Sequence, residues 1–197
     1  MYMKWRGDIM SNNTMDKSEI LFFNKLKKYN MNRYNLREKV ANGDFVRIMH
    51  GVYANPDKDI NEFWLLGQRY KNGIFSHNTA LYFYNMTDRT PLHYDMTFPS
   101  NNRVKNESLK VHYIKKEFHQ LGLTKLKLND GFEIQVYNIE RTICDIIRDR
   151  NKIDPQIFNN AMKEYLKRND KNLKRLYEYA KKFKIDKILE KYMEVLL

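Results

Sequence analysis

The stretch GDFVRIMHGVYANP, residues 43–56, decides the first part of the fold. Residues 45–49 are rich in β-branched and aromatic side chains, His50-Gly51 supplies a turn with one residue free to take a positive φ, and residues 52–54 return. The pattern predicts a two-stranded antiparallel hairpin. Because an isolated hairpin is marginally stable in water, it needs a helix or a third strand against its apolar face.

The residues before the hairpin predict a short basic helix that can supply this partner. In NMNRYNLREKVANG, residues 30–43, Leu36 and Val40 lie four apart and share one helical face. Asn32 is suited to cap the start of the helix, and Gly43 is suited to end it with a left-handed residue.

Another helix is predicted further upstream, in MDKSEILFFNKLKKYN, residues 15–30. Asp16 or Ser18 is its expected cap. The apolar side chains at roughly helical spacing are Ile20, Phe22, Phe23, Leu26 and Tyr29.

The order helix, turn, basic helix and hairpin predicts a winged helix-turn-helix over residues 1–57. In this arrangement the second helix lies in the major groove and the wing reaches the backbone or the minor groove. If Val46 and Ile48 pack on the helices, strand alternation directs Arg47 outward. The predicted DNA contacts are Arg33, Arg37, Lys39, Arg47 and His50. The alternative is that Arg33 and Arg37 only solvate an exposed helix face.

The composition favours a polyanion as partner. The chain has 36 Lys and Arg against 24 Asp and Glu, a formal net charge of +12 and a pI near 9.6. Nucleic acid is the first candidate and an anionic membrane surface the second. A membrane span is not expected, because no run of about 18 apolar residues exists, and residues 1–14 lack the apolar core of a signal peptide. We therefore predict a cytoplasmic protein.

Residues 58–197 predict a mixed α/β domain that ends in three helices, so the fold class is α+β. The boundary is placed in ANPDKDINE, residues 54–62, where Pro, Asn and Asp cluster. Ser76 is expected to cap a helix, and YDMTFPS, LKVHYI and GFEIQVYNI are expected strands. The clearest amphipathic patterns are Leu173, Leu176, Tyr177 and Ala180, and Ile185, Ile188, Leu189, Tyr192, Met193 and Leu196.

Cys144 is the one cysteine, so an internal disulfide is excluded, in agreement with a reducing compartment. Isoleucines flank it at helical spacing, which predicts a packed thiol rather than a nucleophile. Arg141 and Asp145 lie four apart and are expected to form a local helix pair.

An enzyme is the third class of function, since a basic α/β protein could be a DNA nuclease. The nearest divalent-metal set is Asp95 with Glu133 and Gln135, in which glutamine stands where such nucleases carry a lysine. The histidines occur without the paired spacing or cysteine partners of a zinc site: His50, His77, His93, His112 and His119. There is also no glycine-rich phosphate loop. We therefore predict a binding protein that is not an enzyme and has no metal or cofactor.

Four segments in order resemble one protein family: NLREKVANGDFVRIMHGVYANP, FSHNTALYFYNMTDRTP, MTFPSN and NIERTICDIIRD. Over roughly residues 18–197 the chain resembles the AbiEi antitoxins of bacterial abortive-infection, or phage-resistance, systems. The resemblance implies a winged helix-turn-helix that binds operator DNA and represses its own transcription, followed by a domain that antagonises a nucleotidyltransferase-like toxin. It also implies a type IV toxin–antitoxin pair, in which no stable complex between the two proteins is required.

The distribution of charge points to a second surface, in the C-terminal antitoxin domain. Basic residues exceed acidic ones by five in residues 103–127 and by seven in residues 148–191. That surface could widen the DNA footprint or meet an acidic or RNA-bound element of the toxin pathway. Its predicted members, off the apolar stripe of their helix, are Lys174, Arg175, Lys181 and Lys182. The alternative function is a sequence-specific transcriptional regulator with no antitoxin role.

Overall fold

The computed structural model describes residues 19–196, with side chains up to Glu194. Contacts divide the chain after Ile60 into a first unit, Met1–Ile60, and a second unit, Asn61–Leu197. The sequence placed this division between residues 57 and 58. Both units contain helices and strands, so the protein is mixed α and β, as predicted.

The first unit has a small antiparallel sheet and one α-helix among its described residues. Its sheet has the order β1-β3-β2. Leu21, Leu26 and Leu36 form its buried core, against which Phe45 and Tyr53 pack. The elements are β1 (Ile20–Phe22), a 3-10 helix (Phe23–Tyr29), α1 (Arg33–Ala41), β2 (Val46–Met49) and β3 (Val52–Ala54).

Local sequence signals placed the basic helix and the hairpin correctly. The Asn32 side chain accepts a hydrogen bond from the Asn35 backbone N–H at 2.9 Å, and the Asn35 side chain accepts one from the Asn32 backbone N–H at 3.0 Å. The predicted cap is therefore confirmed as a capping box. Gly43 has φ of +81° after the helix, and Gly51 has φ of +72° in the hairpin turn. Both glycines therefore occupy the left-handed positions that were predicted.

The predicted upstream helix is wrong in part. Residues Ile20–Phe22 form a strand because they pair with Val52–Ala54, and the backbone of Lys25 leaves helical geometry within the following 3-10 helix. A strand partner outweighed the helical spacing of the apolar side chains. The proposed caps Asp16 and Ser18 lie outside the described residues.

On α1 and in the hairpin, fewer apolar side chains are buried than the sequence predicted. Val40 is 36% exposed and Val46 is 43% exposed. In β2 a register shift between Arg47 and Met49 interrupts the alternation of side chains. Arg47 is nevertheless exposed, so its outward position does not depend on burial of Val46.

The second unit has a five-stranded mixed sheet in the order β6-β5-β4-β8-β7. β4 pairs antiparallel with β5 and parallel with β8, β5 pairs parallel with β6, and β7 pairs antiparallel with β8. The predicted strands and the three final helices are confirmed. The elements are α2 (Glu62–Arg69), β4 (Ile74–Phe75), α3 (His77–Phe83), β5 (Tyr94–Pro99), β6 (Leu109–Ile114), α4 (Lys116–His119), β7 (Leu123–Lys127), β8 (Glu133–Tyr137), α5 (Ile139–Arg148), a 3-10 helix (Arg150–Lys152), α6 (Pro155–Lys167), α7 (Leu173–Lys182) and α8 (Asp186–Leu196).

Helix α5 is the centre of the second unit, because α3, α6 and α7 all pack against it. Cys144 is fully buried there, and its Sγ lies 3.8 Å from the Leu176 carbonyl oxygen. Burial raises the pKa of this thiol, so it is a packed side chain, as predicted. No helix within residues 19–196 combines the length and apolar character needed to cross a bilayer.

The predicted pair of Arg141 and Asp145 forms, but it is buried rather than a surface pair. Arg141 Nε donates to Asp145 at 3.0 Å, and both side chains are almost inaccessible to solvent. Arg141 Nη1 also donates to the carbonyl oxygens of Phe118 and Leu121, at 2.8 and 2.6 Å. Its guanidinium lies 3.9 Å from the ring centroid of Tyr137. This one side chain therefore connects α5 to α4 and to the residues that follow α4.

Candidate functional site

Helix α1 presents the first candidate surface. Leu36 faces the core at 2% exposure, while Arg33, Tyr34 and Arg37 are exposed, Tyr34 at 74%. The capping box at Asn32 fixes the first turn, so these side chains project from a well-formed helix start. The Arg33 guanidinium lies 5.3 Å from the ring centroid of Phe23. Two cations and one aromatic ring thus share the solvent-facing side of a short helix.

Lys39, at the other end of α1, has an ion-pair partner among the described residues of the first unit, unlike the two arginines. Its ammonium is 3.5 Å from Asp44 and 5.9 Å from the ring centroid of Phe45. A partly buried ion pair of this kind lowers the net charge that the residue offers to a ligand. Lys39 is therefore a weaker candidate contact than Arg33 or Arg37.

The hairpin turn brings Arg47 and His50 together. Arg47 Nη2 donates to His50 Nδ1 at 2.9 Å, and both side chains are exposed. An arginine with donors remaining beside a turn residue can contact a phosphate oxygen. Arg47 and His50, the two hairpin residues predicted from sequence to contact DNA, thus form one small polar group.

Most of the side chains predicted for the basic surface on α7 lie outside the buried core. Leu176 and Ala180 are fully buried, whereas Lys174, Lys181 and Lys182 are exposed. Arg175 differs from the three lysines because it contacts a buried carboxylate.

Arg175 is joined to the interior of the second unit. Its Nη1 lies 3.4 Å from the buried carboxylate of Glu140, which also accepts a hydrogen bond from the Asn172 backbone N–H at 2.9 Å. Reversing the charge of Arg175 would place an acid beside a buried acid. The expectation that all four α7 cations can be changed without affecting packing is therefore wrong for Arg175.

The carboxylates weighed for a nuclease do not form a common site. Asp95 lies on β5 and Glu133 on β8, with β4 between them in the sheet. Glu133 is exposed and pairs with Lys125 at 2.7 Å. Asp95 is 1% exposed and has different partners. Gln135 is exposed on β8.

Asp95 instead belongs to a largely buried polar cluster, which we define as His77, Asp95, His112 and Asp149. His112 Nε2 lies 2.6 Å from Asp95 Oδ1, and His112 Nδ1 lies 3.3 Å from Asp149 Oδ2. His77 Nε2 lies 3.4 Å from the same Asp149 oxygen. The two imidazoles are stacked, with 3.6 Å between centroids and 10° between planes. Each residue comes from a different part of the second unit.

A second layer of hydroxyl groups holds the cluster. His77 Nδ1 is 3.0 Å from Ser76 Oγ, which accepts a hydrogen bond from Thr97 Oγ1 at 2.8 Å. Ser76 precedes α3, as predicted for a cap, but its side chain makes no cap hydrogen bond. The hydroxyl that was predicted to cap the helix therefore orients His77.

The cluster changes the proton affinities of its members. Burial lowers the pKa of His112, but hydrogen bonds and charges of Asp149 and Asp95 raise it by more, so the net pKa shift is upward. Hydrogen bonds from His112 and His77 hold the pKa of the Asp149 carboxyl well below its usual range. These shifts favour a charged histidine between two carboxylates.

A cavity of about 270 Å³ reaches the cluster from the side of Asp95. Asn78, His93 and Lys110 are among its other lining residues. Lys110 pairs with Asp95 in the register of β5 and β6, which places both residues on one face of the sheet. Asp95 is thus the residue that the cluster and this cavity share.

Sequence reasoning missed the cluster because its members are far apart in the chain. Asp95 and His112 are 17 residues apart, and Asp149 follows α5. The available signal was that a polar residue interrupts the predicted strand YDMTFPS and another interrupts LKVHYI. These two strands, β5 and β6, are neighbours in one sheet, and β5 is an inner strand. Pairing these polar residues required the strand register.

No protein-family model matches the chain, and no curated protein matches it. Among solved structures the chain is similar to the Rv2827c protein of Mycobacterium tuberculosis, at a TM-score of 0.54 and 14% sequence identity. The match covers 84% of this chain and 67% of that chain. At this level of identity the likeness concerns the fold.

Proposed function

We propose that the first unit is a winged helix-turn-helix that binds operator DNA, and that the chain is an antitoxin of the AbiEi type that represses its own operon. The observation that carries the proposal is the solvent-facing side of α1, where Arg33, Tyr34 and Arg37 project from a capped helix. The net charge of +12 supports a polyanionic partner.

The order of elements in the first unit supports the same assignment. A 3-10 helix and α1 precede the hairpin β2-β3, and β1 adds to the hairpin as a third strand. In a winged helix-turn-helix the second helix of the pair enters the major groove, which here is α1, and the hairpin is the wing. Arg47 and His50 then lie at the tip that meets phosphates.

The side chains of α1 have the chemistry for both positioning and base contact. An arginine near the start of a recognition helix can donate two parallel hydrogen bonds to guanine O6 and N7. Arg37 has no ion-pair or hydrogen-bond partner for its side chain within residues 19–196, so no internal contact has to break when it binds. Arg33 would exchange its contact with Phe23 for the groove.

The test is a titration of the full chain against the promoter DNA of its own operon, followed by fluorescence anisotropy. Arg33→Ala and Arg37→Ala should each cost about 1–3 kcal/mol of binding and relax the sequence preference. The matched control is Lys174→Ala combined with Lys182→Ala, which removes two charges from exposed positions on α7. If Arg33→Ala and Arg37→Ala together bind like wild type, or no more weakly than the control, the assignment of α1 is wrong.

Salt dependence provides a second check on phosphate contacts. If the protein neutralises several phosphates, raising the salt concentration from about 50 to 200 mM should lower the DNA affinity by on the order of a decade or more. Arg47→Ala should weaken binding to all DNA sequences alike. It should also reduce the slope of log affinity against log salt concentration by about one. An affinity that is insensitive to salt would contradict the proposed DNA contacts.

The antitoxin part of the proposal rests on the AbiEi resemblance together with the basic face of α7. We expect Lys174→Glu with Lys181→Glu and Lys182→Glu to weaken rescue of cells that express the neighbouring nucleotidyltransferase-like toxin. Arg175 is left unchanged because it contacts Glu140. A chain that binds its promoter yet never rescues growth would instead be a transcriptional regulator without an antitoxin role.

A further inference from the structure

The cluster of His77, Asp95, His112 and Asp149 has no part in the proposed DNA contacts. It lies in the second unit, and its members come from the start of α3, from β5, from β6 and from the end of α5. Asp95 is 1% exposed and His77 is 4% exposed. Burial of this many titratable groups is costly unless they are paired or bind an ion.

We propose that His77, Asp95 and His112 bind a divalent first-row transition-metal ion, with Asp149 orienting the two imidazoles. One ligand atom from each of the three residues lies within 4.8 Å of the other two. Two ligands on one ion are separated by roughly 3–4 Å when each bond is about 2.0–2.2 Å long. The three ligand atoms are therefore close to the separations that one ion requires, and rotation of one imidazole would complete the site.

The donor set selects the class of ion. Two imidazole nitrogens and one carboxylate oxygen suit Zn²⁺, Fe²⁺ and neighbouring first-row ions, whereas Mg²⁺ and Ca²⁺ prefer oxygen ligands alone. A thiolate does not take part, because Cys144 contacts the Leu176 carbonyl elsewhere in the core. The set corresponds to the two-histidine, one-carboxylate arrangement that leaves coordination positions open.

Asp149 has the position of a supporting carboxylate. One of its oxygens lies within hydrogen-bonding reach of His112 Nδ1, at 3.3 Å, and near His77 Nε2, at 3.4 Å. Metal-binding histidines commonly donate the other ring N–H to a carboxylate, which fixes the tautomer and the direction of the ring. This leaves His112 Nε2 and His77 Nδ1 as the ligand atoms, and His77 Nδ1 would exchange its contact with Ser76 Oγ for the ion.

The ring stack must open when the ion binds. Nitrogen lone pairs lie in the plane of the imidazole, so on two parallel rings they run side by side and do not meet at one ion. One ring therefore rotates, and the ion takes the place between His112 Nε2 and Asp95 Oδ1, which lie 2.6 Å apart. The backbone of His77 already has φ of +47°, a left-handed conformation that is uncommon outside glycine and concentrated at functional sites.

The cavity beside Asp95 gives the ion a route and a free coordination position. Its volume of about 270 Å³ is ample for water or a small anion, and Lys110 lies in its wall. With three protein ligands, an ion at Asp95 would keep at least one position directed to this space. The same contacts would also serve as a purely structural hydrogen-bond network, and the experiment separates the two.

The test is Zn²⁺ titration of the full chain without a histidine tag, after chelator treatment, with Co²⁺ absorption as a second readout. We expect one ion per chain. His112→Gln and Asp95→Asn should weaken binding more than about 100-fold, and Asp149→Asn about 10–100-fold. The control is His93→Gln, which changes an exposed histidine of the same cavity and should leave the affinity unchanged.

Circular dichroism of each variant separates lost binding from lost folding. If His112→Gln or Asp95→Asn does not fold, Asp149→Asn decides, because Asp149 is partly exposed and the substitution keeps its shape. The proposal is overturned if the wild-type chain takes up no ion. It is also overturned if Asp149→Asn binds Zn²⁺ as tightly as wild type.

Discussion

The first unit exposes the two arginines of α1, whereas the second unit buries Arg141 at its centre. Arg33 and Arg37 project from α1 into solvent, but Arg141 is 0% exposed and bonds to Asp145 and two carbonyl oxygens. An exposed arginine adds little to stability and remains available to a ligand. A buried one is fully committed to the fold, and its loss leaves its partners unsatisfied. The same residue type therefore has opposite expected effects in the two units.

The largest expected effect comes from Arg141→Ala. The change leaves the Asp145 carboxylate buried with fewer partners and removes the donors to Phe118 and Leu121. We expect a loss of about 3–5 kcal/mol in the free energy of unfolding, measured by urea denaturation. Arg148→Ala, which removes the more exposed partner of Asp145, is the control and should cost much less. Equal losses in the two variants would contradict the comparison.

Two glycines with nearly the same φ sharpen the contrast between the units. Gly122 has φ of +80°, and a Cβ there would lie 2.5 Å from Arg141 Cβ. Gly43 has φ of +81° with no atom within 4 Å. Both alanine substitutions incur the left-handed backbone cost, but only Gly122→Ala also creates an overlap, so we expect roughly 2–4 kcal/mol against about 1–2 kcal/mol.

These values are measured by denaturation of the second unit for Gly122→Ala and by amide hydrogen exchange in α1 for Gly43→Ala. The loss at Gly122 should be reduced in an Arg141→Gly background, because only that change removes the Arg141 Cβ that the new methyl group would overlap. Additive losses would show that the overlap is not the cause.

A smaller effect is expected from Asn32→Ala. This change removes the capping box that fixes the first turn of α1 and should cost about 1 kcal/mol. Amide exchange in residues 33–36 should accelerate accordingly. Asn42→Ala, at the other end of the same helix, is the control. No change in exchange would mean that the core contact of Leu36 alone holds the helix start.

The smallest effect on stability is expected from Arg33→Ala combined with Arg37→Ala. Both side chains are exposed, so the free energy of unfolding should change by no more than about 0.5 kcal/mol. Under the proposed function the same variant loses DNA binding. A large loss of stability would mean that these arginines support the fold rather than a ligand, and the contrast between the units would fail.

Local patterns in the sequence were sufficient for much of the secondary structure. The turn at Gly51, the stop at Gly43 and the cap at Asn32 follow from conformational and hydrogen-bonding properties of single residues. The three final helices follow from apolar spacing, and Leu176 and Leu189 are buried as that spacing requires. The strand at Ile20–Phe22 was missed because its partner residues lie thirty or more positions later in the chain.

The sequence by itself determined the α+β class, the hairpin, the basic helix and the excess of positive charge, because each depends on neighbouring residues or on composition alone. Only the tertiary structure decided that Arg141 is buried and that Arg175 contacts Glu140. It also decided that Asp95 contacts His112 and does not share a site with Glu133. The register of β5 and β6 brings Asp95 close to His112. The packing of α3 against α5 brings His77 close to Asp149. Spacing along a chain carries no information on such contacts, since they depend on which elements pack together and in what register.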